Sequence, residues 1–267
     1  MHVLLAQVHH WTNLVLATPT WCALLIAAGT GLILRIAAPA RTALAACLAI
    51  TCGALALALP ATPLWHATPI ARLPGAFLLL TLSTVVAARP GRALHWLLLP
   101  ITASLTAWWL RGAPLTSAGI ASVVPVFLGL AAASALVRRL ASRDTGSIGV
   151  VAAMTLAAAI WLATGPTPWV YAALLPACVG LVLLGRGEAA APLAQATTLV
   201  GVATVVAADR GRLLPIDIAA FAPLLVWALA PRLQPRLNRA GPVLSAGLAA
   251  LCGIAFFWAA THAMWPR

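Results

Sequence analysis

The sequence predicts an all-helical polytopic membrane protein, with about ten transmembrane helices in two five-helix repeats of inverted topology. Three observations lead there. Hydrophobic residues make up 63% of the 267 positions and charged residues only 7%, at a mean hydropathy of +1.02. So few polar side chains cannot coat a body exposed to water. The apolar residues fall into runs of about 17 to 25 residues, the length that crosses a bilayer, punctuated by Arg, Pro and Gly. Finally, residues 83–94 (STVVAARPGRAL) recur as residues 203–214 (ATVVAADRGRLL), with eight of twelve positions identical at an offset of 120.

Ten runs follow from this punctuation. Leu14 to Ile36 ends beside Arg35, and Thr42 to Leu59 lies between Arg41 and Pro60. Leu73 to Ala88 is bounded by Arg72 and by Arg89-Pro90-Gly91-Arg92, Leu94 to Leu110 stops at Arg111-Gly112, and Leu115 to Val137 stops at Arg138-Arg139. Ile148 to Ala163 closes before Gly165-Pro166, Trp169 to Leu184 before Gly185-Arg186, and Pro192 to Ala208 before Asp209-Arg210. Leu214 to Ala230 and Pro242 to Met264 complete the set. Several runs are short and the connections are tight, so tilted or broken helices are expected.

Five runs separate each copied element from its mate. An odd number of crossings turns the second copy upside down, the plan of many membrane carriers. Residues 1–139 form the first repeat and residues 140–267 the second, within one membrane domain and with no soluble domain between them. Ser117-Ala118-Gly119 and Ser245-Ala246-Gly247 open matching apolar stretches. Ser117 with Ala121, and Ser245 with Ala249, then set small residues four apart for close helix packing.

Orientation follows from the arginines. Arg35, Arg41, Arg89, Arg92, Arg138, Arg139, Arg143, Arg186, Arg232, Arg236 and Arg239 lie in odd-numbered connections, eleven in all, against five (Arg72, Arg111, Arg210, Arg212 and Arg267) on the other side. The positive-inside rule places both termini outside the cytoplasm of a bacterial-type inner (plasma) membrane. Trp11, Trp65, Trp108, Trp109, Trp161, Trp169 and Trp265 map to the arginine-poor side as an interfacial belt. The first eleven residues carry no Arg or Lys, so the first span reads as retained rather than as a signal peptide. The 16 basic residues lie singly or in short clusters with no aromatic interleaving. They read as topology determinants, and nucleic acid is not an expected partner.

Few residues carry chemistry. Of the four acids, Asp144, Glu188 and Asp209 lie in connections, whereas Asp217 opens an apolar run after Pro215. An ionisable group entering a membrane span is a candidate for substrate binding or coupling, although an acid in the first turn after a proline is also an ordinary helix start. The position related to Asp217 by the repeat is Leu97, two residues past His95, so an imidazole and a carboxylate would occupy related places able to relay protons. Pro100 and Pro223 interrupt corresponding runs, and paired interruptions point to a mid-membrane site. Arg92 and Arg212, matched in the repeat, complete the candidate set. His9, His10, His66 and His262 gather with tryptophans on the outer face as weak metal or haem candidates, without ligand spacing or a nearby carboxylate. No metal site or cofactor is expected. The five cysteines, Cys22, Cys47, Cys52, Cys178 and Cys252, read as inert packing residues.

In span count and length alone, the organisation resembles the drug/metabolite transporter superfamily, which builds ten spans from two five-helix units. It departs from that pattern in orientation, since those carriers keep both termini in the cytoplasm. The leading expectation is a small inner-membrane transporter, a secondary carrier or permease moving a small molecule by alternating access, with proton coupling as an option. It is not expected to be an enzyme. The alternatives are a membrane enzyme acting on a lipid-linked or isoprenoid substrate and a non-catalytic subunit of a larger envelope or respiratory complex. Expected partners are the lipid bilayer, a small-molecule substrate, and either a second copy in a homodimer or other membrane-complex subunits.

Overall fold

A backbone surrounded by hydrocarbon has to satisfy its own hydrogen bonds, and a run of apolar residues does this as a helix. The computed structural model describes residues 19–59, 68–87, 92–141, 147–164, 167–185, 187–208, 222–237, 244–245, 247–252 and 254–255. Among these residues, all regular structure is helical. The helices are α1 (Pro19–Ala37), α2 (Thr42–Ala58), α3 (Leu73–Ala87), α4 (Arg92–Leu110), α5 (Ser117–Ala141), α6 (Ser147–Thr164), α7 (Pro168–Val182), α8 (Ala190–Ala208) and α9 (Ala222–Leu233). Short 3₁₀ turns precede α3 (Pro69–Arg72) and α8 (Gly187–Ala189) and follow α9 (Gln234–Leu237).

Three helices are long and apolar enough to cross a membrane, within Thr20–Ala37, Ser117–Leu136 and Ala190–Ala207, and several shorter apolar helices accompany them. The chain is thus built as a multi-pass membrane protein. Its outer surface agrees: Leu25, Ile33, Ile36 and Leu128 are more than half exposed, a surface suited to lipid tails rather than water.

Burial sorts the helices. In α8, 67% of the apolar window is buried, against 11% in α5, so α8 runs through the middle and α5 lies on the rim. Helix α7 packs against α1, α2, α6 and α8, and α8 also touches α2, α3, α5 and α6. The main core joins α1 through α8 around Phe77, Leu156, Leu175 and Leu193, while Trp227 of α9 anchors a smaller cluster with Ile148, Ala152 and Ala249.

Small residues set the closest approaches. A Cβ on Gly53 of α2 would lie 2.7 Å from the Ala27 Cβ and 2.6 Å from Leu175 Cδ2, so α1, α2 and α7 meet where a side chain has no room. A Cβ on Gly180 of α7 would likewise come within 2.6 Å of Val150 Cγ2 on α6. Ser245 and Ala249 are fully buried, as their spacing predicts, whereas Ser117 and Ala121 are exposed. The rim position of α5 explains the difference, because little of that helix is covered by the described residues.

Polar contacts tie the helix ends together. Arg35, at the end of α1, donates to the carbonyl of Val182 at the end of α7. The Thr42 hydroxyl at the start of α2 reaches Glu188, just before α8, at 3.1 Å. At the opposite ends, Arg72 donates to the Leu110 carbonyl at 2.8 Å and the Trp109 indole returns a bond to the Arg72 carbonyl at 2.8 Å, joining the start of α3 to the end of α4. The turn after α4 brings Gly112 against Arg72 with φ +92°, and a Cβ there would lie 2.8 Å from Arg72 Nη2. Inside the bundle, buried hydroxyls bond to their own helix, as Thr51 does to the Cys47 carbonyl and Thr197 to the Leu193 carbonyl, each at 2.8 Å.

Candidate functional site

Two cavities flank the line along which α5 packs on α8. They differ in chemistry. The smaller, about 50 Å³, lies between α3, α4, α5 and α8, and its wall includes Ser83, Thr102, Thr106, Ser134 and Gln195. That volume holds a few water molecules. Half of the residues that line this void are alanine and leucine, and the other half carry polar side chains.

Their hydrogen-bond demands are unequal. Ser83 donates to the Leu80 carbonyl at 2.7 Å and Thr102 to the Leu98 carbonyl at 2.8 Å, so both hydroxyls are served within their own helices. A primary amide cannot be satisfied in this way, since it carries two donor hydrogens and an acceptor oxygen. Gln195 is the only amide side chain within the described α-helices, and no described residue hydrogen-bonds it. It occupies the second turn of α8, the most buried of the three spanning helices, where leaving an amide unpaired is costly. The amide is therefore placed to engage whatever enters the cavity.

The larger cavity, about 390 Å³, lies on the other side of the α5–α8 line and is walled by Val126, Gly129, Val202, Val206 and Leu224, with Arg111 at one end. Arg111 directly follows α4, and Leu224 is the third residue of α9.

The residues singled out in the sequence map onto this geometry unevenly. Pro100 lies inside α4, and Thr102, Ala103 and Thr106 of the polar cavity follow it within two turns. Pro223 is buried at the second position of α9, beside Leu224 of the apolar cavity. The two prolines thus sit next to different cavities. Arg92 and His95 belong to the first turn of α4, with side chains outside the description. Asp217 and Arg212, as well as His9, His10, His66 and His262, lie outside the described residues. Of the tryptophans assigned to the outer belt, Trp108 and Trp161 are exposed, and Trp109 is half-buried through its bond to Arg72.

None of the polar cavity residues stood among the candidates drawn from the sequence, neither Ser83, Thr102, Thr106, Ser134 and Gln195 of the smaller cavity nor Thr198 and Arg111 of the larger. Gln195 had a readable signal as a lone amide inside an apolar run. The hydroxyls had none, because many of the described serines and threonines bond to a carbonyl of their own helix. No protein-family model, curated protein or solved structure matches the chain, so the reading of the site rests on its own chemistry.

Proposed function

We propose that the protein is a small-molecule carrier of a bacterial-type inner membrane, working by alternating access between two five-helix halves of inverted topology. The polar cavity around Gln195 is its binding centre, and the observation that carries this reading is an amide with no hydrogen bond to any described residue, lining a polar void at the seam between α3, α4, α5 and α8. Both cavities draw their walls from the first half (α3 to α5) and the second (α8 and α9). A site between repeats is opened to either side by rocking one half against the other.

Helix directions support the inverted plan. The bond from Thr42 to Glu188 sets the starts of α2 and α8 side by side, and α3 returns along α2, since Thr51 meets Thr81 in mid-helix while Leu55, one turn further on, lines a cavity with Pro74 and Gly75 at the start of α3. Helices α3 and α8, which end in the copied sequence, therefore run in opposite senses. The glycine contacts are also related, since Gly53 lets α1 approach α2 and Gly180 lets α6 approach α7. The proline in α4 supplies a compliant point one turn from the cavity. In this reading both termini lie outside the cytoplasm, and Asp217 and His95 couple transport to protons.

The test is uptake by liposomes containing the purified chain, with a panel of small metabolites and with or without a pH gradient. Gln195→Leu, which keeps the size but removes the amide, should abolish uptake while the protein still accumulates and melts cooperatively. Uptake at the wild-type rate by a folded Gln195→Leu protein would remove the polar cavity from the transport path.

A further inference from the structure

That reading makes no use of the larger cavity, whose chemistry suits a different occupant. We propose that it holds one anionic phospholipid, with an acyl chain lying between α5 and α8 and the phosphate on Arg111. The site would exist whether or not the chain transports anything.

The walls argue for the chain. Val126, Val202, Val206 and Leu224 give an apolar lining, and at about 390 Å³ the space falls within the range of ligand pockets, roughly 300–1,000 Å³. Gly129 lies in this wall, and a Cβ built there meets nothing within 4 Å. The neighbouring α5 residues Val124 and Leu128 are at least half exposed, so this side of the groove faces the surroundings of the bundle. In a membrane protein those surroundings are lipid, and a lipid can enter sideways without crossing water.

The end of the groove argues for the headgroup. Arg111 stands just past the last residue of α4, at a helix terminus, the level at which headgroups lie. Its planar guanidinium can hold two phosphate oxygens at once. Charge points the same way. The chain has 16 arginines and only four acidic residues, so its overall field favours a net anion over a zwitterion. A net negative phospholipid brings a phosphate with no cancelling cation, whereas phosphatidylcholine carries its own ammonium beside the phosphate.

The experiment is native mass spectrometry of the full chain, released from detergent containing equal amounts of phosphatidylglycerol and phosphatidylcholine. The wild-type chain should retain one phosphatidylglycerol at roughly tenfold preference, the scale of one charge-assisted contact. Arg111→Gln should bring the two lipids to parity at this site, and Gly129→Leu, which fills the groove and favours the helix, should remove the bound lipid of either kind. Water-soluble glycerol phosphate should not displace it. Equal retention of the two lipids by the wild-type chain would overturn the proposal, as would an unchanged preference in Arg111→Gln, undiminished binding in Gly129→Leu, or displacement by glycerol phosphate. The wild-type preference needs no variant to fold, and the two substitutions lie on different segments. Loss of lipid selectivity in Arg111→Gln with uptake intact would separate this site from the transport reading.

Discussion

Replacing Gly53 by alanine tests the tightest junction in the bundle. The new methyl would lie 2.6 Å from Leu175 Cδ2, 2.7 Å from Ala27 Cβ and 3.1 Å from the Ala23 carbonyl oxygen. Carbon atoms prefer a separation of about 3.5–4.0 Å. The Leu175 tip can rotate away, but the other two atoms belong to the backbone and first side-chain carbon of α1, so α1 itself has to retreat by about 1 Å. Overpacking of this kind costs about 1–3 kcal/mol, and the better helix propensity of alanine returns about 1 kcal/mol. The net loss is up to about 2 kcal/mol, a fall in melting temperature of up to about 8 °C for a chain of this size. The assay is thermal unfolding in a mild detergent, followed by far-ultraviolet circular dichroism. Gly29→Ala in α1 is the control, since its Cβ meets nothing within 4 Å; it should melt at or slightly above the wild-type temperature. Gly180→Ala should fall between the two, because its clashes are with side-chain atoms of Val150 and Leu193 alone. If Gly53→Ala melts as high as Gly29→Ala, the three-helix contact is looser than the packing argument requires.

The remaining expectations concern the helix ends, the orientation and the coupling. Arg72→Met removes the donor that ties the start of α3 to the Leu110 carbonyl while keeping the length of the side chain; the pair is partly exposed, so a loss of about 1 kcal/mol is expected, read as a small fall in the same melt, and an unchanged melt would show that the contact contributes nothing. An alkaline phosphatase fused after Arg267 should be active and a fluorescent cytoplasmic reporter at that point dark, and the reverse pattern would overturn the orientation. Asp217→Asn should leave expression unchanged and abolish uptake driven by a pH gradient; normal uptake across pH would return Asp217 to the role of a helix start.

The positions of the helices were legible in the chain because a bilayer leaves a spanning backbone few alternatives. The run expected from Thr42 to Leu59 is the helix Thr42–Ala58, and the run expected from Leu94 to Leu110 is Arg92–Leu110. Which face of each helix turns inward was much less legible, and the reason is physical. In water, apolar residues mark the inside; in lipid, leucine is equally at home on either face. In α1, Leu25 and Ile33 point outward while Ala23 and Ala27 are fully buried, so the inward face is marked by small size rather than by hydrophobicity. Size alone is ambiguous in an alanine-rich chain, as the opposite burial of Ala121 and Ala249 shows. Tryptophan is ambiguous in a similar way: Trp161 is exposed while Trp227 lies at the centre of a core cluster. A polar group that its own helix cannot satisfy is a sharper marker, because it gains nothing from facing hydrocarbon and has to turn toward a cavity or a partner. Threonine and serine evade this test by bonding to the preceding turn. Glutamine lacks that way out, so a lone amide inside an apolar run, as at Gln195, is a sharper pointer to the interior than a proline or an acid at a membrane entry.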